Sequence, residues 1–194
     1  MTDSVLESLA TFDPPLRPPV LPVTDVSYAV DDTPIGRMLL ARNESGALVA
    51  SVFVPTATEE DRWLDRLARS VSPRVLRHPG ALDVARRELD DFLAGRLRSF
   101  SSPVDLALAT SFQHTVLGRL PLRVGYGERA TYGELAKAID RPSASRAVGA
   151  ALGANPLCVV LPCHRIVASS GSLTGYAGGL AAKEYLLDLE SGQS

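Results

Sequence analysis

The chain is poor in the residues that usually define a class of protein at a glance. Only two cysteines occur among its 194 residues, Cys158 and Cys163. They stand five positions apart with an apolar stretch and a proline between them, so no disulfide framework is expected. The three histidines, at 78, 114 and 164, are scattered, which argues against a Cys/His zinc cluster. No apolar run approaches the ~20 residues that a membrane helix needs. The N-terminus lacks the basic start and apolar stretch of a secretory signal, so a cytoplasmic, reducing location is the expectation. What remains is ordinary for a soluble globular chain: 45% hydrophobic and 22% charged residues, enough for one or two domains with their own core.

Charge is close to balanced overall but unevenly placed. Residues 1–111 hold 12 Lys/Arg against 16 Asp/Glu, residues 112–165 hold 7 against 3, and residues 166–194 hold a single Lys against three acids. A polyanionic partner, if there is one, belongs to the middle segment. Such imbalance is common, and by itself it is a weak footprint of nucleic-acid binding.

Residues 1–24 carry Pro14, Pro15, Pro18, Pro19 and Pro22 and read as an extended lead-in. From Val26 to Val54 the pattern is β, with a hairpin turn at Asn43-Glu44-Ser45-Gly46. Residues 58–70 and 80–95 have helical spacing, the second stopped by Gly95. A connecting segment runs from Ser99 to Thr110, and a helix is expected from Phe112 to Leu122 with 112, 116, 117 and 120 facing a core. Tyr126-Gly127-Glu128 marks a turn.

Thr131-Tyr132-Gly133-Glu134 has the form of a capping box, and Leu135, Ala136 and Ile139 give a short helix its apolar stripe. Asp140-Arg141-Pro142-Ser143 breaks that helix, and Ser143 is the expected cap of a second one over 144–152. Two short helices joined tightly form a helix-turn-helix layout. The second helix, with Ala144, Ser145, Ala147 and Gly149, is smooth, which suits close approach to a minor groove, and Arg146 is its one long side chain near the start. A small-residue helix packed on a sheet, with Arg146 in solvent, has the same composition, and the residues alone leave both readings open.

Val159-Val160-Leu161 reads as a short buried strand running into Pro162-Cys163-His164-Arg165. A cysteine there, beside His164 and Arg165, sits where a thiolate is favoured, with Arg165 the expected neighbour of its charge. Cys158, between Leu157 and Val159, fits a structural thiol. The Gly/Ser-rich stretch 169–179 offers backbone N–H groups and, at Tyr176, a hydroxyl and a stacking face; a plain connector has the same composition. A last helix, Ala181 to Leu189, brings Glu190 to its end, where it can orient His164.

Taken together, these motifs resemble the O6-alkylguanine-DNA alkyltransferase family. Pro162-Cys163-His164-Arg165-Ile166-Val167, Gly175-Tyr176-Ala177-Gly178-Gly179-Leu180, Thr131 to Ala136, Arg146-Ala147-Val148-Gly149 and Asn155-Pro156 carry the likeness, which is continuous from about Phe112 to Glu190 and looser over 25–110. The resemblance implies an α/β plus α protein: a ribonuclease H-like domain over 25–105, then a mostly helical winged helix-turn-helix domain over 106–194. It implies irreversible, single-turnover transfer of the alkyl group from O6-alkylguanine in double-stranded DNA, with O4-alkylthymine a second expected substrate, to Cys163 after minor-groove binding and nucleotide flipping. In that scheme Arg146 fills the gap in the stack, Tyr132 helps turn the nucleotide out, and Ala144, Ser145, Ala147 and Gly149 face the DNA. Asn155 braces the turn before the active site. His164, through a water and linked to Glu190, takes the Cys163 proton. Tyr176 donates to guanine N3, and the backbone carbonyls of Cys158 and Val160 accept from the exocyclic amine. Thr174 and Ala177 line the pocket. No cofactor or metal is implied, and a monomer without membrane association is expected.

Three departures from the family pattern stand out: Val116-Leu117-Gly118 where many members have a Trp, Gly125 where many have Pro, and no N-terminal cysteines for the zinc site that some carry. Competing readings are weaker. An alkyltransferase-like damage reader would lack Cys163. A transcription factor would need several long polar side chains on its recognition helix for the major groove. A thiol hydrolase would need a nucleophile and base that are not chain neighbours.

Overall fold

The computed structural model describes residues 25–192; the Pro-rich stretch 1–24 read as a lead-in lies outside the described residues. Strand β1 (Val26–Thr33) pairs antiparallel with β2 (Gly36–Asn43), and β2 with β3 (Leu48–Phe53). The turn expected at 43–46 is present: the Asn43 side chain accepts from the Ala47 amide at 3.0 Å and Gly46 has φ 88°. The single hairpin of the sequence reading is nevertheless a three-strand meander. Its second turn, at Thr33-Pro34-Ile35-Gly36, is closed by Thr33 Oγ1 donating to the Gly36 carbonyl at 2.6 Å.

Helix α1 (Ala57–Ser70), capped by Thr56, leads to a short β4 (Val75–Arg77) parallel to β1, which completes a mixed sheet of order β3-β2-β1-β4. A 3-10 turn and α2 (Asp83–Leu93) follow; α2 lays Ala85, Leu89, Phe92 and Leu93 into the core, and Gly95, with φ 71°, lies just past its end.

The second half is helical. Helix α3 (Ser111–Arg123) begins at a Thr110/Gln113 capping box and buries Val116, Leu117 and Leu120. Two-residue β5 (Ala130–Thr131) precedes α4 (Tyr132–Ala138), whose Thr131/Glu134 capping box is present as the sequence predicts. Helix α5 (Ser145–Gly153) buries Val148, Ala151 and Leu152. Ser143 is not its cap, a correction to the sequence reading: Arg141-Pro142-Ser143-Ala144 forms a turn held by Ala144 N–H to the Arg141 carbonyl at 2.9 Å, which makes Ala144 the N-cap, with no side-chain bond. After a 3-10 turn over Cys163–Arg165, β6 (Ile166–Val167) pairs with β5, and α6 (Gly179–Ser191) closes the chain.

One buried cluster runs through both halves, from Met38, Leu40 and Phe92 to Leu117, Leu135, Leu157 and Leu186. Edge strand β3 ties them by its backbone: the Leu48 and Ser51 amides bond the carbonyls of Pro103 and Pro156 at 2.7 and 2.8 Å. The N-terminal sheet therefore serves as the wall against which the segment before Cys163 is set. No helix among the described residues is long and apolar enough to cross a membrane.

Candidate active site

The chain between Asn155 and Cys163 is a compact turn, where the sequence reading expected a strand at 159–161. Val159 has φ 71°, left-handed backbone that a β-branched residue adopts only at a cost of about 1–3 kcal/mol. That kink folds the chain back, so the Leu161 amide reaches the Leu157 carbonyl at 2.8 Å and Cys158 bridges to Leu161. An apolar run of three looks like a strand by composition; the reversal depends on contacts the run does not encode. Asn155 holds the turn from inside. Its Oδ1 accepts from the Leu157 amide at 2.9 Å, and its Nδ2 donates to the Leu161 carbonyl at 3.2 Å and to Cys163 Sγ at 3.1 Å. Asn155 is thus both the expected brace and a direct partner of the sulfur.

Cys163 is 6% exposed. Its thiol is held below its usual pKa by the neighbouring Cys158 thiol, by Asn155 and by the Lys183 ammonium, which together outweigh burial. Cys158 is driven the opposite way, well up, by its bond to Cys163 and by burial. Arg165, expected beside the thiolate, is turned elsewhere: its guanidinium bonds Glu190 at 2.9 Å and the Val124 carbonyl at 3.1 Å. The nearby cation is Lys183, which the sequence reading missed. It is 1% exposed and donates to the carbonyls of Ile166 at 2.6 Å and Thr174 at 3.1 Å. The available signal was its being the one basic residue of the last 29 positions.

Replacing Asn155 with alanine is expected to raise the Cys163 pKa toward that of a free thiol and to destabilise the fold by about 1–3 kcal/mol, since Leu157 and Leu161 lose their bonds. The pH dependence of Cys163 carbamidomethylation reads the first effect; an unmoved midpoint contradicts it.

His164 and Glu190 meet as expected, Nε2 to Oε1 at 2.8 Å, both fully or nearly buried. Burial pushes the His164 pKa down against the pull of Glu190, so the imidazole is neutral near pH 7. With Glu190 accepting from Nε2, the Nδ1 lone pair faces away, and Nδ1 has no hydrogen-bond partner among the described residues. Burial would raise the Glu190 carboxyl, but the bonds from His164 and Arg165 hold it below the usual range. Glu190 Oε2 also accepts from the Gly127 amide at 3.2 Å. Gly127 has φ 76°, and a side chain there would meet the Glu190 carbonyl at 3.0 Å, so the turn seen in the sequence at 126–128 requires its glycine.

Tyr176 presents a second orphaned atom: its hydroxyl is buried and unpartnered among the described residues, and burial keeps it protonated by raising its pKa well above the usual value. Its ring lies edge-on to Phe53 at 5.6 Å and to His164 at 6.4 Å. Gly178 lets this loop reach the sheet, since a Cβ there would stand 2.5 Å from the Phe53 ring. Ala177 is exposed. The Cys158 carbonyl accepts from Ser51 Oγ at 2.8 Å, which leaves it one lone pair for another donor. Val160 is half-buried and lines a separate cleft of about 330 Å³ with Arg98 and Tyr126.

Tyr132 Oη and Thr174 Oγ1 are hydrogen-bonded at 2.9 Å, and a Cβ at Gly149 would stand 3.7 Å from the Tyr132 ring. Beside them lies an open groove of about 450 Å³ lined by Tyr132, Gly133, Ser145, Arg146, Gly149 and Ser169. Arg146 and Ala147 are exposed, while Ala144, Ser145 and Gly149 are half-buried. Arg146 has no ion-pair or hydrogen-bond partner among the described residues.

Comparison with known proteins fits this geometry. The family model described as 6-O-methylguanine DNA methyltransferase, DNA binding domain, matches residues 111–192. A methylated-DNA–protein-cysteine methyltransferase of Methanosarcina acetivorans is 40% identical over 84% of this chain and 97% of its own length. The crystal structure of the Mycobacterium tuberculosis O6-methylguanine methyltransferase superposes with a TM-score of 0.74 at 37% identity, covering 87% of this chain and 94% of that one. A structure of the M. tuberculosis protein in complex with DNA gives 0.73 at 35% identity, with the same coverage.

Proposed function

Because this chain belongs to the methylated-DNA–protein-cysteine methyltransferase family, its function is DNA repair by alkyl transfer, and we propose that Cys163 is the acceptor and O6-alkylguanine in duplex DNA the principal substrate. The observation that carries the assignment is the arrangement around one sulfur. A buried thiol of lowered pKa accepts from Asn155 at 3.1 Å, and the two orphaned buried polar atoms of the described residues, His164 Nδ1 and Tyr176 Oη, belong to its neighbours. One is an acceptor and the other a donor, as alkyl transfer requires.

The Cys163 thiol gives its proton to His164 Nδ1 through a water, and Glu190 balances the imidazolium. The sulfur displaces the base at the alkyl carbon: the S–C bond forms and the C–O6 bond breaks. The guanine leaves with the electron pair, and Tyr176 Oη donates to N3 to stabilise it. The carbonyls of Cys158 and Val160 accept from the exocyclic amine, while Thr174 and Ala177 bound the pocket. The thioether is stable, so each molecule acts once, and no cofactor takes part. O4-alkylthymine is a second substrate of the same chemistry.

The groove beside α5 takes the minor groove of the duplex. Ala144, Ser145, Ala147 and Gly149 allow close approach, Tyr132 turns the nucleotide out, and Arg146, without a partner among the described residues, occupies the gap. The N-terminal part is ribonuclease H-like and the C-terminal part a winged helix-turn-helix, divided near residue 105. The protein works as a monomer in the cytoplasm.

Arg146→Ala is expected to slow transfer from duplex DNA by about one to two orders of magnitude, the unstacking cost being a few kcal/mol. Transfer from the free modified base should change little. Rates on both substrates check this, and equal loss contradicts the role in the stack.

A further inference from the structure

The mechanism above uses the Cys158 carbonyl and leaves its thiol without a task. That thiol is 1% exposed and stands close enough to Cys163 for each to shift the other's ionisation. Five residues of extended chain would separate them by about 17 Å. They meet only because the Val159 kink, the 2.8 Å bond from Leu161 N–H to the Leu157 carbonyl and the 2.8 Å bond from Cys163 N–H to the Leu161 carbonyl fold the chain back twice. Asn155 spans the pair: Nδ2 donates to Cys163 Sγ at 3.1 Å, and its carbonyl accepts from Cys158 Sγ at 3.5 Å. Two cysteines are thus held together on a strained turn that could have been built with any small apolar residue at 158.

We propose that Cys158 and Cys163 form a reversible oxidation site for hydroperoxides, in which Cys163 is oxidised first and Cys158 resolves it as an intramolecular disulfide. The electrostatic asymmetry suits the order of events. Cys163 is the thiol that ionises and Cys158 the one that stays protonated. In the first step the Cys163 thiolate attacks one oxygen of the hydroperoxide; an S–O bond forms, the O–O bond breaks, and the departing alkoxide or hydroxide takes up a proton. In the second, the Cys158 sulfur attacks the resulting sulfenic acid. An S–S bond forms, the S–O bond breaks, and hydroxide leaves as water with the Cys158 proton. Two thiols have supplied two electrons to one peroxide. The consequence is protective: an unresolved sulfenic acid proceeds to sulfinic acid, which thiols do not reduce, and would end the single use of the protein before any repair. The disulfide blocks alkyl transfer only until it is reduced.

The proposal rests on the reading of Cys163 as the activated thiol, and its test is read by mass rather than by repair. The full chain is treated with a small excess of hydrogen peroxide, free thiols are capped with N-ethylmaleimide, and the tryptic peptide 147–165, which holds both cysteines, is weighed. The expected product is an uncapped peptide lighter by two hydrogens, from monomeric protein, with both thiols recovered in dithiothreitol. Cys158→Ala under the same treatment should instead gain two oxygens on Cys163, without recovery. Capped Cys158 beside a sulfinic Cys163 in the wild-type protein overturns the proposal, and so does a disulfide between two chains. The wild-type result decides even if the variant does not fold. Untreated protein assayed in parallel for alkyl transfer separates this from the repair function: a disulfide without any transfer keeps the proposal and sinks the repair reading, and transfer without a disulfide does the reverse.

Discussion

Cys163→Ala abolishes alkyl transfer and leaves duplex binding intact. No other group can take over. Cys158 is the one other thiol in the chain, and its burial disfavours the thiolate even without Cys163 beside it. Losing one Sγ costs little in stability, because Asn155 keeps its bonds to Leu157 and Leu161. The groove beside α5 is formed by Tyr132, Arg146 and Gly149 and not by Cys163, so affinity for DNA persists. Transfer below detection with a dissociation constant within about threefold of wild type, a difference under 1 kcal/mol, is the expected pair of results. Residual transfer in this variant would sink the assignment of the acceptor.

Glu190→Ala is expected to be the most destabilising single change at the site. Its carboxylate accepts from His164 Nε2, from Nε and Nη2 of Arg165 and from the Gly127 amide, and so joins α6 to the turn after α3 and to the 3-10 turn of Cys163. Arg165 is 7% exposed and His164 0%, so truncation leaves a buried guanidinium without its counter-charge. Breaking a buried pair in this way costs about 3–5 kcal/mol. For a chain of this length that lowers the melting temperature by on the order of 10 °C. Transfer falls as well, because His164 loses the partner that fixes its tautomer.

Acid has the same sign. The folded-state pKa values of Glu190 and His164 are both depressed, so the stability they contribute is complete above the unfolded values, ~4.3 and ~6.5. It is lost as pH falls through the folded ones. The difference in melting temperature between wild type and Glu190→Ala should therefore hold from pH 7 to pH 5 and narrow only as pH falls below ~4.3, the unfolded value of the carboxyl; a gap that stays constant into strong acid contradicts the linkage.

Much of the site was legible in the sequence because its chemistry sits in short contiguous motifs. The capping box at Thr131 and the Gly127 turn each describe a local structure that tertiary packing leaves unchanged, and Pro162 to Arg165 was legible as chemistry, though not as the 3-10 turn it forms. The His164–Glu190 contact was offered by the family resemblance and not settled by the residues, which lie 26 positions apart, and the two side chains do meet. The errors have a common cause. Val159 to Leu161 has strand composition, but Asn155 and the edge of β3 at Ser51 impose a reversal on it. Ser143 is a better cap by type than Ala144, yet the turn through Pro142 sets the helix start one residue later. Arg165 was assigned to the thiolate by adjacency in sequence; in space it faces Glu190, and Lys183, eighteen residues further on, is the cation that favours the thiolate. Strand β4 gave no signal, since three residues with little burial carry no period.

The central claim is that Cys163 itself receives the alkyl group. The most direct test is mass spectrometry of the protein mixed with a duplex containing one O6-methylguanine, with peptide 147–165 fragmented to distinguish Cys163 from Cys158. The account predicts one methyl group on Cys163, saturating at one per protein molecule however much duplex is added. A methyl group on Cys158, or an unmodified protein still bound to the duplex, would contradict it.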